Sequence, residues 1–422
     1  MLIKIPYDTS YLTTECNERN IVAVLEPGEP NVDKTPEELV ISALERPIGS
    51  SRLADLAKDK QKIVIISSDH TRPMPSRITI PLLLQEIRRG NPEADITILI
   101  ATGLHRPPNS AELINRYGKE VVSKEKIVIH DADNQNSLIA LGKLPSGATL
   151  LINRLAAEAD LLVAEGFIEP HFFAGYSGGR KSILPGIAGR ETIYYNHSAL
   201  LIKQKTSRAG FLDTNKINRD MEYAAQTAKL AFILNVCLDS NKNICAAFAG
   251  EPVAAHRAGC EYLRELASVK RAPADIVIVS NGGYPLDQNL YQAVKGMSTA
   301  ADNAKPGAVI ICVAGCVDGI GSRNFFELTA GAESPEKLLK KILDTPPLET
   351  VMDQWQVQIL AEILCKHKVI LVSRNIDSET VSAMHMEHAL TLEGALQRAF
   401  ELKGKDAKIT VIPNGVSIIT ED

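Results

Sequence analysis

The sequence predicts an α/β protein of two domains, each a mostly parallel sheet flanked by helices. Three observations predict it. Short, continuous apolar runs rich in Ile and Val recur along the chain, as expected of strands buried on both faces. Helix-period stretches lie between them, which parallel pairing requires of its crossovers. The alternation then restarts after Arg271-Ala-Pro-Ala274, in a chain of 422 residues that is too long for one ordinary core.

Taken in order, residues 62–67 read as the first buried strand, followed by a turn and an amphipathic helix over 76–89. Residues 95–100 form the next strand and 109–117 the next helix, with Asn109 or Ser110 as its N-cap. Further strands are expected at 126–129, 149–152 and 160–164. Beyond the restart, strands are expected at 275–280, 308–313, 368–372 and 408–412, with helices at 291–303, 335–343, 355–366 and 392–403. The expected division is a domain of residues 1–270 and a second of residues 271–422, with the active site in the cleft between them.

Composition narrows the function. A net charge of −5 argues against a general nucleic-acid partner, which would want a basic face. No run approaches the ~20 apolar residues of a membrane span, so no membrane association is expected. The N-terminal stretch lacks an apolar core and cleavage site, and the seven cysteines are scattered, so a reducing cytoplasm is the expected setting. Cys312 and Cys316 have no second pair to complete a zinc site and read as buried thiols.

In open parallel sheets, ligands collect beyond the carboxyl ends of the strands, and three polar clusters fall there. Ser67-Ser-Asp-His-Thr-Arg-Pro73 follows the first strand; its Arg72 could hold a carboxylate or phosphate bidentately, or the segment is a plain Asx-type turn. Ala101-Thr-Gly-Leu-His-Arg-Pro107 follows the second, where Gly103 permits a turn that aims His105 over the strand ends. The longest is Gly166 to Gly189, containing His171 and Tyr176-Ser-Gly-Gly-Arg-Lys181. Ser177, Gly178, Gly179 and Arg180 have the look of an anion nest, although the P-loop spacing is absent. Taken alone, His197 reads as a helix-face residue, Gln292 and Lys295 as a solvated face, and Trp355 as core.

Together, Asp69-His-Thr-Arg-Pro73, Ala101 to Pro107, Pro170-His171, Gly175 to Lys181, His197, Tyr291-Gln292 with Lys295, and Trp355 resemble the nickel-pincer-nucleotide-dependent lactate racemase family. The matching segments span most of the chain in order. The resemblance implies an isomerase that inverts C2 of a 2-hydroxy acid, lactate or a relative, by reversible hydride transfer. It implies nickel and a pyridinium-3-thioamide-5-thiocarboxylic acid mononucleotide, the nickel-pincer nucleotide, attached to Lys181. His197 is then the metal ligand. His105 and His171 are the alternating acid and base, which calls for a bell-shaped pH–rate profile. Arg72, Tyr291, Gln292 and Lys295 bind substrate, and Asp69, Ser177, Gly178, Gly179, Arg180 and Trp355 serve the cofactor. The partners implied are the small 2-hydroxy acid and the cofactor-biosynthesis proteins that mature the enzyme.

Other classes compete. A metal-dependent hydrolase could use His70, His105, His171 and His197, without a recognisable ligand spacing. Lys181 could carry pyridoxal phosphate as a Schiff base. A non-enzymatic nucleotide- or phosphate-binding protein would need only the glycine-rich nest.

Overall fold

The computed structural model describes residues 1–422. The chain divides into two compact units: Glu29–Asn196 with Gln204–Leu266, and Met1–Gly28 with His197–Lys203 and Ala267–Asp422. The expected single cut at residue 270 therefore needs correction. The N-terminal 28 residues and the short segment that carries His197 belong with the C-terminal unit. No helix is long and apolar enough to cross a membrane.

The first unit is built on a six-stranded sheet in the order Ile244–Gly250, Leu230–Leu238, Leu161–Phe167, Lys62–Ser68, Asp95–Ala101, Lys126–Ile129. All neighbours are parallel except the Ile244–Gly250 edge strand. The expected strands at 62–67, 95–100, 126–129 and 160–164 all lie in it. The 149–152 run does not: Thr149–Asn153 pairs antiparallel with Leu138–Lys143 in a separate ribbon. Helix Ser110–Lys124 starts at an Asn109 N-cap with a reciprocal Glu112 capping box, and kinks where Gly118 adopts φ 84. Ile63, Ile65, Ile98, Val163 and Leu234 interleave with Ile80, Leu83 and Ile87 of helix Ser76–Gly90 to form the core. Each such side chain contributes about 1.5–3 kcal/mol on burial, so the sheet centre is rigid and its strand ends are fixed in space.

Two features of this sheet place the chemistry. Ser68 pairs with Ala101 and Ile66 with Ala164, so three neighbouring strands end at one level. The topology also reverses direction between Leu161–Phe167 and Lys62–Ser68, the kind of switch point at which α/β sheets bind ligands.

The second unit holds a fully parallel six-stranded sheet ordered Glu387–Ala389, Lys368–Val372, Ala304–Val313, Ala274–Ser280, Ile409–Ile412, Ile21–Val24. The last strand comes from the N-terminus. The hairpin Leu2–Tyr7/Ser10–Glu15 alternates exposed and buried residues, and packs Ile3, Ile5 and Tyr7 against Ile276, Ile311 and Leu396. All seven cysteines are free thiols, with Cys312 and Cys316 buried.

Candidate active site

The turn after strand Lys62–Ser68 folds on its own carboxylate. Asp69 Oδ1 accepts from the Thr71 amide at 3.1 Å and from the Thr71 hydroxyl at 2.7 Å, an Asx-type turn. The other oxygen, Oδ2, lies 2.7 Å from His105 Nδ1. Asp69 is 2% exposed whereas the His105 side chain is 44% exposed. Burial alone would push the Asp69 carboxyl up, but the His105 charge and hydrogen bond, the Thr71 hydroxyl and Arg72 together hold it well below the usual carboxylate range. A carboxylate at Nδ1 fixes the ring so that Nδ1 carries a proton and Nε2 is the basic end.

His105 reaches this place because Gly103 turns the chain at φ 54, donating its N–H to Gly186 O at 2.9 Å, while the His105 amide donates back to Thr102 O. Arg72 is half-buried one turn from Asp69, and its guanidinium makes no hydrogen bond or ion pair with a protein side chain. A planar donor set so placed suits a carboxylate-bearing ligand. Arg116 supports the turn from beneath, donating to Met74 O and Arg72 O.

The glycine-rich segment begins with a tight antiparallel ribbon, Pro170–His171 against Gly175–Tyr176. The Ala174 amide donates to His171 Nδ1 at 3.2 Å, and Nε2 lies 3.5 Å from Lys181 Nζ. Phe172 and Phe173 pack on the ring of His171 at 5.0 and 4.6 Å between centroids. The two histidines are therefore held by different partners, a carboxylate for His105 and a backbone amide for His171.

Part of the expected anion nest is already engaged within the protein. The Ser177 amide donates to Glu169 O, the Gly179 amide to Asn235 Oδ1 and the Lys181 amide to Gly178 O. The Ser177 hydroxyl donates to Phe167 O. Gly178 sits at φ 78, where an added Cβ would meet Asn235 Oδ1 at 2.7 Å, so this glycine serves close packing. Arg180 is 4% exposed, and its guanidinium donates to Asn218 Oδ1 and to the carbonyls of Ala174, Tyr176, Ser177 and Gly178. It also lies 2.8 Å from His256 Nε2. Burial brings its pKa down to about 10. Arg180 is a staple of the loop, correcting the expectation that it faces a ligand. Its bonds tie together residues 174–178, the stretch of loop between His171 and Lys181.

In the second unit, Asn289 caps helix Leu290–Asp302 by accepting from the Gln292 amide, and Asn281 pins the helix through Gln292 O and the Gly296 amide. Gln292 and Lys295 lie half-buried on this helix. Tyr291 faces another way: its hydroxyl accepts from Trp355 Nε1 at 2.8 Å, and its ring packs edge-on to Phe325. Trp355 is buried on helix Gln354–Leu364 and meets the His197 ring edge-on at 5.3 Å. The tryptophan thus supports the histidine expected to bind metal, from the same unit.

No three His, Cys, Asp or Glu side chains are placed to share a metal ion. The hydrolase reading from His70, His105, His171 and His197 loses its ligand set. Sequence reasoning missed Glu165, buried in strand Leu161–Phe167, where Ser67, Ser76 and Thr79 donate to its carboxyl. A lone Glu inside the apolar run 161–167 was the available signal.

Comparison with known proteins gives this arrangement a family. Residues 7–210 match the lactate racemase N-terminal domain and residues 269–420 the lactate racemase C-terminal domain. A lactate racemase of Lactiplantibacillus plantarum is 48% identical over 421 residues, covering 99% of both chains. One of Thermoanaerobacterium thermosaccharolyticum is 51% identical over 422 residues, covering 100% of this chain and 99% of that protein. The solved structure of the lactate racemase apoprotein from that second organism superposes with a TM-score of 0.97 at 50% identity, covering 100% of both chains. A structural-genomics protein from Thermotoga maritima shares the fold at a TM-score of 0.67 and 17% identity, covering 94% of this chain and 100% of that one. With both domains matched and about half of all residues identical over its full length, this chain belongs to the lactate racemase family and is, by that membership, a racemase.

Proposed function

We propose that this protein racemises lactate, or a closely related 2-hydroxy acid, with two histidines that exchange a proton with the C2 hydroxyl. The observation that carries the reading is the Asp69–His105 pair at 2.7 Å beside Arg72, at the ends of neighbouring strands. Asp69 holds the Nδ1 proton of His105, which leaves Nε2 to accept the hydroxyl proton of one enantiomer. His171 serves the other enantiomer. When His105 takes the hydroxyl proton, His171 starts protonated and gives a proton to the oxygen of the 2-keto acid, and in the opposite direction the two roles exchange. Arg72 holds the carboxylate of the substrate. Such holding keeps C2 oriented while the two faces of the keto acid exchange.

The residues fit a lysine-tethered nickel-pincer nucleotide in their donor chemistry. Lys181 offers a primary amine set beside His171, and His197 an imidazole supported by Trp355, an N-donor that suits nickel. The amides of Ser177, Gly179 and Lys181 are already spent within the protein, so these three do not cradle a phosphate. When bound, the cofactor supplies a reversible hydride acceptor for C2. In this reading Arg180 and Asn235 are support for the lysine, and Asp69 orients His105 rather than the cofactor.

The test is to load the protein with cofactor, verify the adduct by intact mass, and follow enantiopure 2-hydroxy acids by chiral chromatography. Lactate is expected to lose its configurational purity, with 2-hydroxybutyrate, phenyllactate, malate and gluconate mapping the tolerance beyond C3. An adduct-bearing protein that leaves every one of these optically pure overturns the proposal.

A further inference from the structure

The proposed reaction uses no group from the interior of strand Leu161–Phe167, yet Glu165 lies there at 2% exposure. No cation pairs with it. Three hydroxyls surround it instead: Ser67 and Ser76 donate to Oε1, the latter at 2.6 Å, and Thr79 donates to Oε2. The Tyr117 hydroxyl lies 2.7 Å from Ser67 Oγ, which makes Tyr117 the donor to a serine that itself donates onward. Arg116, on the same helix as Tyr117, is the nearest charge that favours the ionised form, while burial pushes the carboxyl up. A buried acid without a counterion is expensive and is poor evidence of a gain in stability.

The placement of the three donors says what the arrangement does. Ser67 lies at the end of strand Lys62–Ser68, whereas Ser76 and Thr79 form the first turn of helix Ser76–Gly90. That helix has Pro75 at its N-cap position and no side-chain cap. A carboxyl from a neighbouring strand thus binds both ends of the intervening turn, at the helix end where negative charge is favoured. The turn between the clamped ends contains Asp69, Thr71 and Arg72, the support of the proton-accepting histidine and the substrate's guanidinium.

We propose that Glu165 is a positioning residue, whose carboxyl, by gripping Ser67 on one side and Ser76 with Thr79 on the other, sets the Asp69–Arg72 turn in its working geometry. The inference rests on the racemase reading for what the turn does, but its geometric part can be examined without turnover. Small displacements of a clamp cost rate even when every contacting residue is intact.

Glu165→Gln keeps the size of the side chain but turns an amide donor toward hydroxyl donors. In the cofactor-loaded enzyme, normalised to adduct by mass and assayed well below its melting temperature, we expect KM for lactate to rise and kcat to fall, with kcat/KM down about 10- to 100-fold. Ser76→Ala and Thr79→Val each remove one donor and should move KM the same way by a few-fold. Hydrogen–deuterium exchange of the unloaded protein supplies the second readout. Peptides covering residues 68–75 should exchange about tenfold faster in Glu165→Gln, with the other peptides of the first unit unchanged. A folded Glu165→Gln enzyme with KM and kcat within about twofold of wild type overturns the proposal, as does faster exchange spread evenly over the unit. Should Glu165→Gln not fold, the two donor variants decide it by the same measures, and unchanged KM in both overturns it. If the wild type itself does not racemise lactate, the functional reading fails, and the exchange pattern alone still decides the role of Glu165.

Discussion

Asp69 and His105 are 36 positions apart in the chain and joined by a 2.7 Å contact at the carboxyl ends of two paired strands. The carboxylate is buried and the imidazole largely exposed, so the pair directs its basic nitrogen outward. Asp69→Asn preserves the shape but no longer requires the Nδ1–H tautomer. The expected result is a loss of about 10²- to 10⁴-fold in kcat, by analogy with other carboxylate–histidine pairs, with the adduct mass unchanged. Steady-state rates from both enantiomers measure it.

The same pair sets an acid limit on stability. Because the folded-state pKa of Asp69 is depressed, its contribution is present above the unfolded value, about 3.9, and is lost as pH falls through the folded value. The denaturation midpoint of wild type should exceed that of Asp69→Asn at pH 6 and converge on it as pH drops below about 4. A gap that stays constant down to pH 2 would mean that Asp69 contributes through shape alone.

Arg72 offers a planar donor pair that lysine cannot reproduce. Arg72→Lys should raise KM for 2-hydroxy acids and lower kcat/KM by about 10- to 100-fold, the cost of about 1.4–3 kcal/mol of charge-assisted bonding. Thermal stability should hardly change, since the guanidinium has no side-chain partner to lose. Initial rates across a substrate series check it.

Lys181 and the histidines separate attachment from turnover. Lys181→Ala is expected to abolish both the mass adduct and activity, whereas His105→Ala and His171→Ala retain the adduct and stop racemisation. A histidine variant that racemises at the wild-type rate is incompatible with two alternating bases.

Arg180 is predicted to matter for folding. Replacement by lysine leaves the carbonyls of Ala174, Tyr176, Ser177 and Gly178 competing for one ammonium, with Asn218 Oδ1 unsatisfied. Arg180→Lys should destabilise the protein by about 3 kcal/mol or more, from several lost buried bonds. Urea denaturation checks it, and Arg180→Lys with an unchanged midpoint would show that the loop does not depend on the guanidinium fork.

The apolar runs at 62–67, 95–100, 160–164, 275–280 and 308–313 specified their own strands, because continuous burial on both faces leaves a local mark that needs no partner to be seen. The polar turns at Asp69–Pro73 and Thr102–Pro107 were legible for the same reason: they interrupt those runs at the strand ends where ligands collect. Legibility stopped where a residue is defined by what it meets. Gly178-Gly179-Arg180 has the local chemistry of an anion nest, but residues remote in sequence change it: Asn235 takes the Gly179 amide, Asn218 accepts from the Arg180 guanidinium, and His256 packs against Gly179. The four-residue strand Ile21–Val24 is too short to mark itself in the sequence, and only its pairing with the distant Ile409–Ile412 makes it a strand. Glu165 is by sequence a lone acid in an apolar run, and three hydroxyls from two other elements define what it does. Periodicity and turn chemistry are properties of neighbours in the chain, and these the sequence determined by itself. The partner that satisfies a buried polar group is chosen by long-range packing, and only the tertiary structure decided it.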